Sequence, residues 1–409
     1  VARQERRDAG RAERWALRRA YRSITESKRV KSCGRPGVRE DGAVVLRVTD
    51  GMGTAAQRQL GADGRVAGFA GLFHCGNVWV CQDCSAKIAA SRAAELEKVL
   101  AHFIEAGGWA VLVTLTMRHW KRHDLEQCAK AVGSAWQAVN SGKVWQADKA
   151  ASDYAGFCRA LEVTQSTENG WHVHVHAVVV FNSRPSEYMI EQMADGMFRR
   201  WSNGLVKAGM PRPDREVGLD VQQLDPGAGE GRNFESARAW AQYITKGIAG
   251  EAVLGAGKEA KGRNRSVRQL MRDALIPQVW ENVDTHALVE TVDLEALDRL
   301  REYERVMRGR KQLTWSQGRH DLRKAAQLDE ERSDQEIAQD DLEGEDVAVI
   351  PSHSWPVVEP YAAELLSVTE REGVQGARDW LDRLGVEWWR PTGLTEQRRR
   401  GESPGRTAG

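Results

Sequence analysis

Apolar and polar positions alternate most strictly along Trp171-His172-Val173-His174-Val175-His176-Ala177-Val178-Val179-Val180-Phe181. β-branched residues at period two, with Gly170 as a turn in front, predict a strand. Period two puts His172, His174 and His176 on one face and Val173, Val175, Ala177 and Val179 on the other. Similar signals predict strands over 44–48, 109–116, 157–165 and 216–224. In the second of these, Leu112, Thr114 and Thr116 share a face. In the third, Glu162 is the only acid, and a turn at 166–170 makes this segment an antiparallel hairpin with the histidine strand. Helical spacing predicts helices over 85–106 (Ser85 as N-cap), 124–146, 186–208, 234–248, 266–312 and 361–387. No internal repeat is visible. Gly/Lys/Arg-rich residues 250–265 read as a mobile segment basic enough to contact DNA.

Three imidazoles on one pleat, backed by an apolar face, form a ready metal or phosphate site on a rigid element. With ten histidines in 409 residues, three in five positions at period two is a poor fit to a merely polar surface strand.

Charge adds little in total, since the net value is +1, but its distribution is uneven. Residues 1–40 carry thirteen Lys/Arg against five Asp/Glu, a local excess of +8, while residues 329–346 carry ten Asp/Glu against one Arg, or −9. A basic arm can bind phosphate backbones, and a solvated arm is the plainer reading. No apolar run approaches the ~18 residues of a membrane span, and the charged N-terminal stretch has no apolar signal region. A cytoplasmic protein without a membrane partner is expected.

The six cysteines are Cys33, Cys75, Cys81, Cys84, Cys128 and Cys158. In a cytoplasmic chain they should be reduced. Cys81-x-x-Cys84 has the spacing of a zinc knuckle, with Cys75 as a third thiolate and Cys33 as the natural fourth; His74 competes for a place. Four protein ligands leave no open position, so the zinc would be structural. Cys128 and Cys158 read as small core residues.

The remaining chemistry gathers around the histidine strand. Glu162 sits on the partner strand, Thr114 and Thr116 lie on a strand that can pair alongside, and Tyr243 and Lys246 share one helix face. Two imidazoles and a carboxylate suit a divalent ion with open positions for phosphate. A tyrosine beside such a site could be the nucleophile of a covalent phosphoryl transfer, helped by the ion and by a lysine ammonium. Thr114 and Thr116 read more simply as sheet formers, and His119 and His123 as surface residues.

These motifs, in this order, resemble the rolling-circle replication initiators of plasmids within the HUH endonucleases, most closely the actinobacterial type. The resemblance covers roughly residues 33–250. It rests on Cys75-Gly-Asn-Val-Trp-Val-Cys81-x-x-Cys84, then Thr114-Leu-Thr116-Met-Arg118-His119, then Glu162-Val-Thr with Gly170-Trp-His172-Val-His174-Val-His176, and last Tyr243-Ile-Thr-Lys246. It implies an α+β fold with a central antiparallel sheet flanked by helices, preceded by a small zinc module and followed by a mostly helical C-terminal region. It implies that His174 and His176 bind Mg²⁺ or Mn²⁺, with Glu162 as third ligand and His172 as the competitor for that place. Tyr243 would form a 5′-phosphotyrosine with nicked DNA, supported by Lys246. The partners implied are plasmid origin DNA, single-stranded or in a hairpin, and a host helicase and polymerase. The chain has no phosphate-binding loop of the Gly-x4-Gly-Lys type, so no helicase activity of its own is expected. One departure is Ala239, where such initiators often carry a glutamate one turn before the tyrosine; Glu235, two turns back, is the nearest substitute.

The organisation expected is a basic arm (1–32), a zinc module (33–90), an endonuclease domain (91–265), a helical extension (266–328), an acidic linker (329–350), a small helical unit (351–399) and a disordered tail (400–409). Two rival functions remain open: a zinc-dependent DNA-binding protein without catalysis, and a histidine-triad nucleotide hydrolase, whose signature His172-Val-His174-Val-His176-Ala-Val also fits. Relaxases and HUH transposases share the nicking chemistry.

Overall fold

The computed structural model describes residues 2–37, 42–49, 64–223, 264–281 and 288–391. The chain divides into two compact units, residues 1–76 with 335–409, and residues 77–334. In chain order the elements used below are helix α1 (Ala2–Tyr21), strands β1 (Val44–Thr49) and β2 (Val66–Ala70), helix α2 (Gln82–Glu105), strand β3 (Trp109–Thr116), and helices α3 (Leu125–Val139) and α4 (Gly142–Ala151). Strands β4 (Tyr154–Ser166) and β5 (Gly170–Phe181), helix α5 (Glu187–Lys207), and strands β6 (Leu219–Gln223) and β7 (Asn264–Arg265) follow. After them come α6 (Val267–Leu275), β8 (Gln278–Glu281), β9 (Leu288–Thr291), α7 (Leu294–Met307), β10 (Leu313–Trp315), β11 (Glu345–Ile350) and α8 (Ala362–Leu384).

The larger unit is built on an antiparallel sheet of order β10-β4-β5-β3-β6, with β7 pairing the end of β4. β5 is therefore central, hydrogen-bonded on both edges. Its apolar face packs as the alternation predicts, with Val173, Val175, Ala177 and Val179 almost fully buried. Trp171 is also buried, and its indole N–H donates to Glu302 Oε2 at 2.8 Å, tying the start of β5 to α7. Glu302 Oε1 accepts the Leu125 backbone N–H at 2.7 Å, so one carboxylate holds two elements. The fold is mixed α and β, with antiparallel sheets and packed helices.

The smaller unit joins the two ends of the chain. Strands order as β11-β1-β2, and α1 and α8 pack together, with α8 also lying against the sheet. Trp15, Phe69 and Trp355 meet edge to face, with centroids 5.0 to 6.3 Å apart. The basic arm, whose residues 1–30 read as a partly ordered helix, is a helix docked along its length. Arg7 and Arg11 both reach Glu370 Oε1 at 2.7 Å, and Arg18 and Arg22 both reach Glu359. These arginines are consumed by buried carboxylates over 300 residues away in sequence, a pairing no local pattern reveals. The acidic segment 329–350 differs in the same way, because Glu345–Ile350 is a strand paired with β1.

Smaller differences have local reasons. α2 starts after Cys81, not Ser85. The helix expected over 124–146 breaks at Asn140, giving α3 and α4. The stretch 266–312 contains the β8–β9 hairpin between α6 and α7. The helix expected over 234–248 and the basic segment 250–263 lie outside the described residues. Among the described residues, no helix is long and apolar enough to cross a membrane.

Candidate metal centre on the central strand

Cross-strand register builds the site. Glu162 of β4 lies directly opposite His174 of β5, and Thr114 and Thr116 of β3 lie opposite His176 and His174. Glu162 Oε2 stands 3.0 Å from His174 Nε2 and 2.8 Å from His176 Nε2. The three donor atoms lie within 4.8 Å of one another. His172, the third histidine of the face, is not in this group. It turns to His119, whose Nε2 lies 3.1 Å from His172 Nδ1.

Two observations test whether this donor set fits a divalent ion. Metal–ligand bonds of ~2.1 Å at right angles place adjacent donors about 3.0 Å apart, which is the spacing from Glu162 Oε2 to both nitrogens. The second concerns protons. Thr114 Oγ1 is 3.0 Å from His176 Nδ1. If Nδ1–H donates to the hydroxyl, Nε2 presents its lone pair to the carboxylate, and a 2.8 Å approach of two acceptors needs a cation between them. The residues fit.

Electrostatics agree. Burial opposes ionisation of Glu162, but the charges and hydrogen bonds of His174 and His176 outweigh it and hold the carboxyl well below its usual range. Burial lowers His176, against the hydrogen bond its ring can donate to the Glu162 carboxylate. Burial, then the neighbouring His174 and His119, push His172 down to about 4. At neutral pH the site offers a carboxylate and a neutral imidazole at His176, the forms that bind metal.

A second set of candidate ligands is Cys33 and Cys75 in the smaller unit and Cys81 and Cys84 in the larger, each of them buried. The Cys75 backbone N–H donates to Cys33 Sγ at 3.5 Å. Cys81 stands at the N-cap position of α2, with no side-chain capping hydrogen bond, and Cys84 lies in the first turn. Four thiolates suit a tetrahedral zinc ion. Cys128 and Cys158 are fully buried elsewhere, and burial pushes the Cys128 thiol up to about 12.

Sequence reasoning missed two residues here. Thr114, read as a sheet former, touches His176, and His119, read as surface, touches His172. Only the β3–β5 register brings Thr114 to His176, and that register is not legible in the residues alone. Tyr243, Lys246 and Glu235 lie outside the described residues.

Comparison with known proteins places the chain. A family model described as "Replication protein" matches residues 74–356, and the chain belongs to that family. It is similar to "Protein rep" of Streptomyces lividans, 26% identical over 360 residues, covering 76% of this chain and 77% of that protein. It is also similar to a "Neomycin resistance protein" of Streptomyces cyanogenus, 25% identical over 277 residues, covering 48% of this chain and 63% of that one. No solved structure matches. The chain is thus a plasmid replication initiator of actinobacterial type, as the motif order suggests.

Proposed function

We propose that this initiator is an HUH-type endonuclease and strand transferase that nicks and rejoins one strand of a plasmid origin, with the sheet of residues 77–334 as its endonuclease fold. The observation that carries the reading is the Glu162, His174 and His176 group, brought together by the β4–β5 register at the centre of the sheet. Glu162, His174 and His176 would hold a Mg²⁺ or Mn²⁺ ion, which when bound supplies polarisation of the scissile phosphodiester. Thr114 fixes the His176 ring, and His172, turned toward His119, stays outside the ligand group. The Tyr243 hydroxyl attacks phosphorus, its proton leaving to solvent or a neighbouring base. The P–O3′ bond breaks, and the departing 3′ oxygen takes up a proton. A 5′-phosphotyrosine and a free 3′-OH result. Lys246 would stabilise the phenolate, and Glu235 would activate water at termination. The free 3′-OH would prime synthesis by a host polymerase, with a host helicase opening the duplex. The Cys33, Cys75, Cys81 and Cys84 thiolates would hold a structural zinc.

The test is cleavage of supercoiled plasmid carrying the parent origin, with Mg²⁺ or Mn²⁺, by wild type and Tyr243→Phe. Denaturing gels would read the protein–DNA adduct. Nicking and adduct in wild type, both lost in the variant, are expected. Equal nicking by both would move the nucleophile elsewhere. Origin binding without nicking by either would favour the non-catalytic DNA-binding reading.

A further inference from the structure

β3 runs past the metal centre and continues into a loop over residues 117–124 before α3. Both ends of this loop are fixed. At its start, Met117 is buried and His119 meets His172 at 3.1 Å. In the middle, the chain at Lys121 passes so close to Gly170 that a Cβ there would stand 3.2 Å from the Lys121 Cα; Gly170 also has φ +78°, so glycine is required on both counts. A tight turn follows, with the His123 backbone N–H donating to Trp120 O at 2.9 Å and the Trp120 N–H donating to His123 Nδ1 at 3.1 Å. At its end, Asp124 caps α3 in a reciprocal capping box with Gln127.

A loop held this firmly nevertheless presents Trp120 to solvent, 43% exposed. Guanidinium groups flank the indole, Arg118 at 5.4 Å and Arg122 at 5.8 Å from the ring centroid. Lys121 is exposed between them. Arg118 has a 3.7 Å pair with Asp214, both side chains half or more in water, which is weak enough to exchange for a phosphate. The ring series His119, His172, His174, His176, with successive centroids 5.3, 5.1 and 4.7 Å apart, leads from this loop to Glu162.

We propose that Arg118, Trp120, Lys121 and Arg122 form a landing platform for single-stranded DNA beside the metal centre, with Trp120 stacking one base and the cations holding the phosphates on either side. The proposal rests on the single-strand nicking reading above and names the part of this chain that grips the strand. An exposed indole between cations fits an unpaired base, because every base has a π-face that a duplex keeps stacked inside. A duplex would use the cations and leave the indole idle. Charge complementarity and continuity with the metal centre both point to the strand being cut.

The experiment is fluorescence anisotropy of a labelled 20-nucleotide oligo(dT) and of a 20-base-pair duplex, with full-length wild type, Trp120→Ala, Trp120→Phe and the double variant Arg118→Gln/Arg122→Gln. Because these side chains are exposed, thermal melting should match wild type in all of them. Trp120→Ala should weaken oligo(dT) binding about five- to 150-fold, the range expected for one lost base stack, and leave duplex binding within about twofold. Trp120→Phe should recover most of the loss. The double arginine variant should flatten the slope of log K against log salt on oligo(dT) by about 1.4, two contacts at about 0.7 each. Unchanged oligo(dT) binding by Trp120→Ala while wild type binds and nicks would overturn this inference and leave the nicking reading standing. Equal losses on strand and duplex would also overturn it. Wild type that neither binds oligo(dT) nor nicks would overturn both.

Discussion

Thr114→Val isolates the step on which the metal site depends. The Thr114 hydroxyl lies 3.0 Å from His176 Nδ1, and β3–β5 register sets the two residues directly opposite. Valine keeps the volume and the β-branch that a central strand favours, so the sheet should survive. In the tautomer that binds metal through Nε2, Nδ1–H donates to this hydroxyl, and what goes is the acceptor for that proton. The imidazole then has two options. It can keep that proton, buried and unpaired, at about 1–3 kcal/mol. Or it can carry the proton on Nε2 instead, which removes the lone pair facing Glu162. Either way metal affinity falls, and outer-sphere changes of this kind cost about 10- to 100-fold, or about 1.4–2.8 kcal/mol. Isothermal titration with Mn²⁺ measures it. Thr116→Val is the internal control. Thr116 lies opposite His174, whose Nδ1 has no hydrogen-bond partner among the described residues, so the Thr116 hydroxyl does not hold that ring through Nδ1. Its Kd should stay within about twofold of wild type. A Thr114→Val protein that binds Mn²⁺ as tightly as wild type, or a Thr116→Val protein that loses as much, would refute the reasoning.

Further outcomes follow from other parts of the molecule. His172 has a folded pKa of about 4 through burial and the adjacent His174 and His119, against about 6.5 when unfolded. Below pH 6.5 the unfolded chain takes a proton that the folded chain refuses, so stability is lost as pH falls from about 6.5 through 4. The loss is on the order of 2–3 kcal/mol, and His172→Gln should flatten it in urea melts between pH 7 and 4.5; parallel curves would contradict this. Metal analysis should find one zinc per chain, lost with four titratable thiols on mercurial treatment and absent from Cys81→Ser/Cys84→Ser. Cys128→Ser should keep the zinc. Glu370→Ala should destabilise by about 3–5 kcal/mol, because Arg7, Arg11 and the Ala67 backbone N–H all converge on Glu370 Oε1. An unchanged urea midpoint would show that water replaces the carboxylate at no cost.

The histidine strand was legible because period-two alternation and face assignment are local. So was its pairing with the Glu162 strand, since a short turn at 166–170 leaves the hairpin little choice, and the same locality exposes the three cysteines of residues 75–84. The rest depends on distant partners. β3 could pair with β5 in several registers on residue pattern alone, yet only the observed one delivers Thr114 to His176. The arginines of α1 read as a phosphate-binding arm because their partners, Glu359 and Glu370, are at the far end of the chain. Acidic residues 345 and 346 read as linker because charge masks the apolar run Val347–Ile350 behind them, which is what the sheet uses. His119 looked solvated among Arg118, Trp120 and Lys121. It is half-buried because the β4–β5 turn folds against the loop at Gly170, a tertiary event.

The candidate metal site and the expected nucleophile occupy different parts of the chain, and that separation makes the proposed mechanism divisible by experiment. Glu162, His174, His176 and Thr114 are held by hydrogen-bonded ladders on three adjacent strands. Tyr243 falls between β6, which pairs with β3, and β7, which pairs with β4. It is 20 residues from Gln223 and 21 from Asn264, a contour of about 65 Å on each side. Five strand spacings cover only about 24 Å, so chain length does not bar Tyr243 from the metal centre. A site assembled wholly on the sheet should bind its ion whether or not the tyrosine hydroxyl is present. Tyr243→Phe should therefore keep the Mn²⁺ affinity of wild type while losing the covalent adduct. Thr114→Val should lose affinity, yet recover adduct formation when Mn²⁺ is raised by the same factor that its Kd has risen. If Tyr243→Phe also lost metal affinity, the tyrosine would belong to the metal centre itself, and the division between an ion-binding sheet and a separately delivered nucleophile would fail.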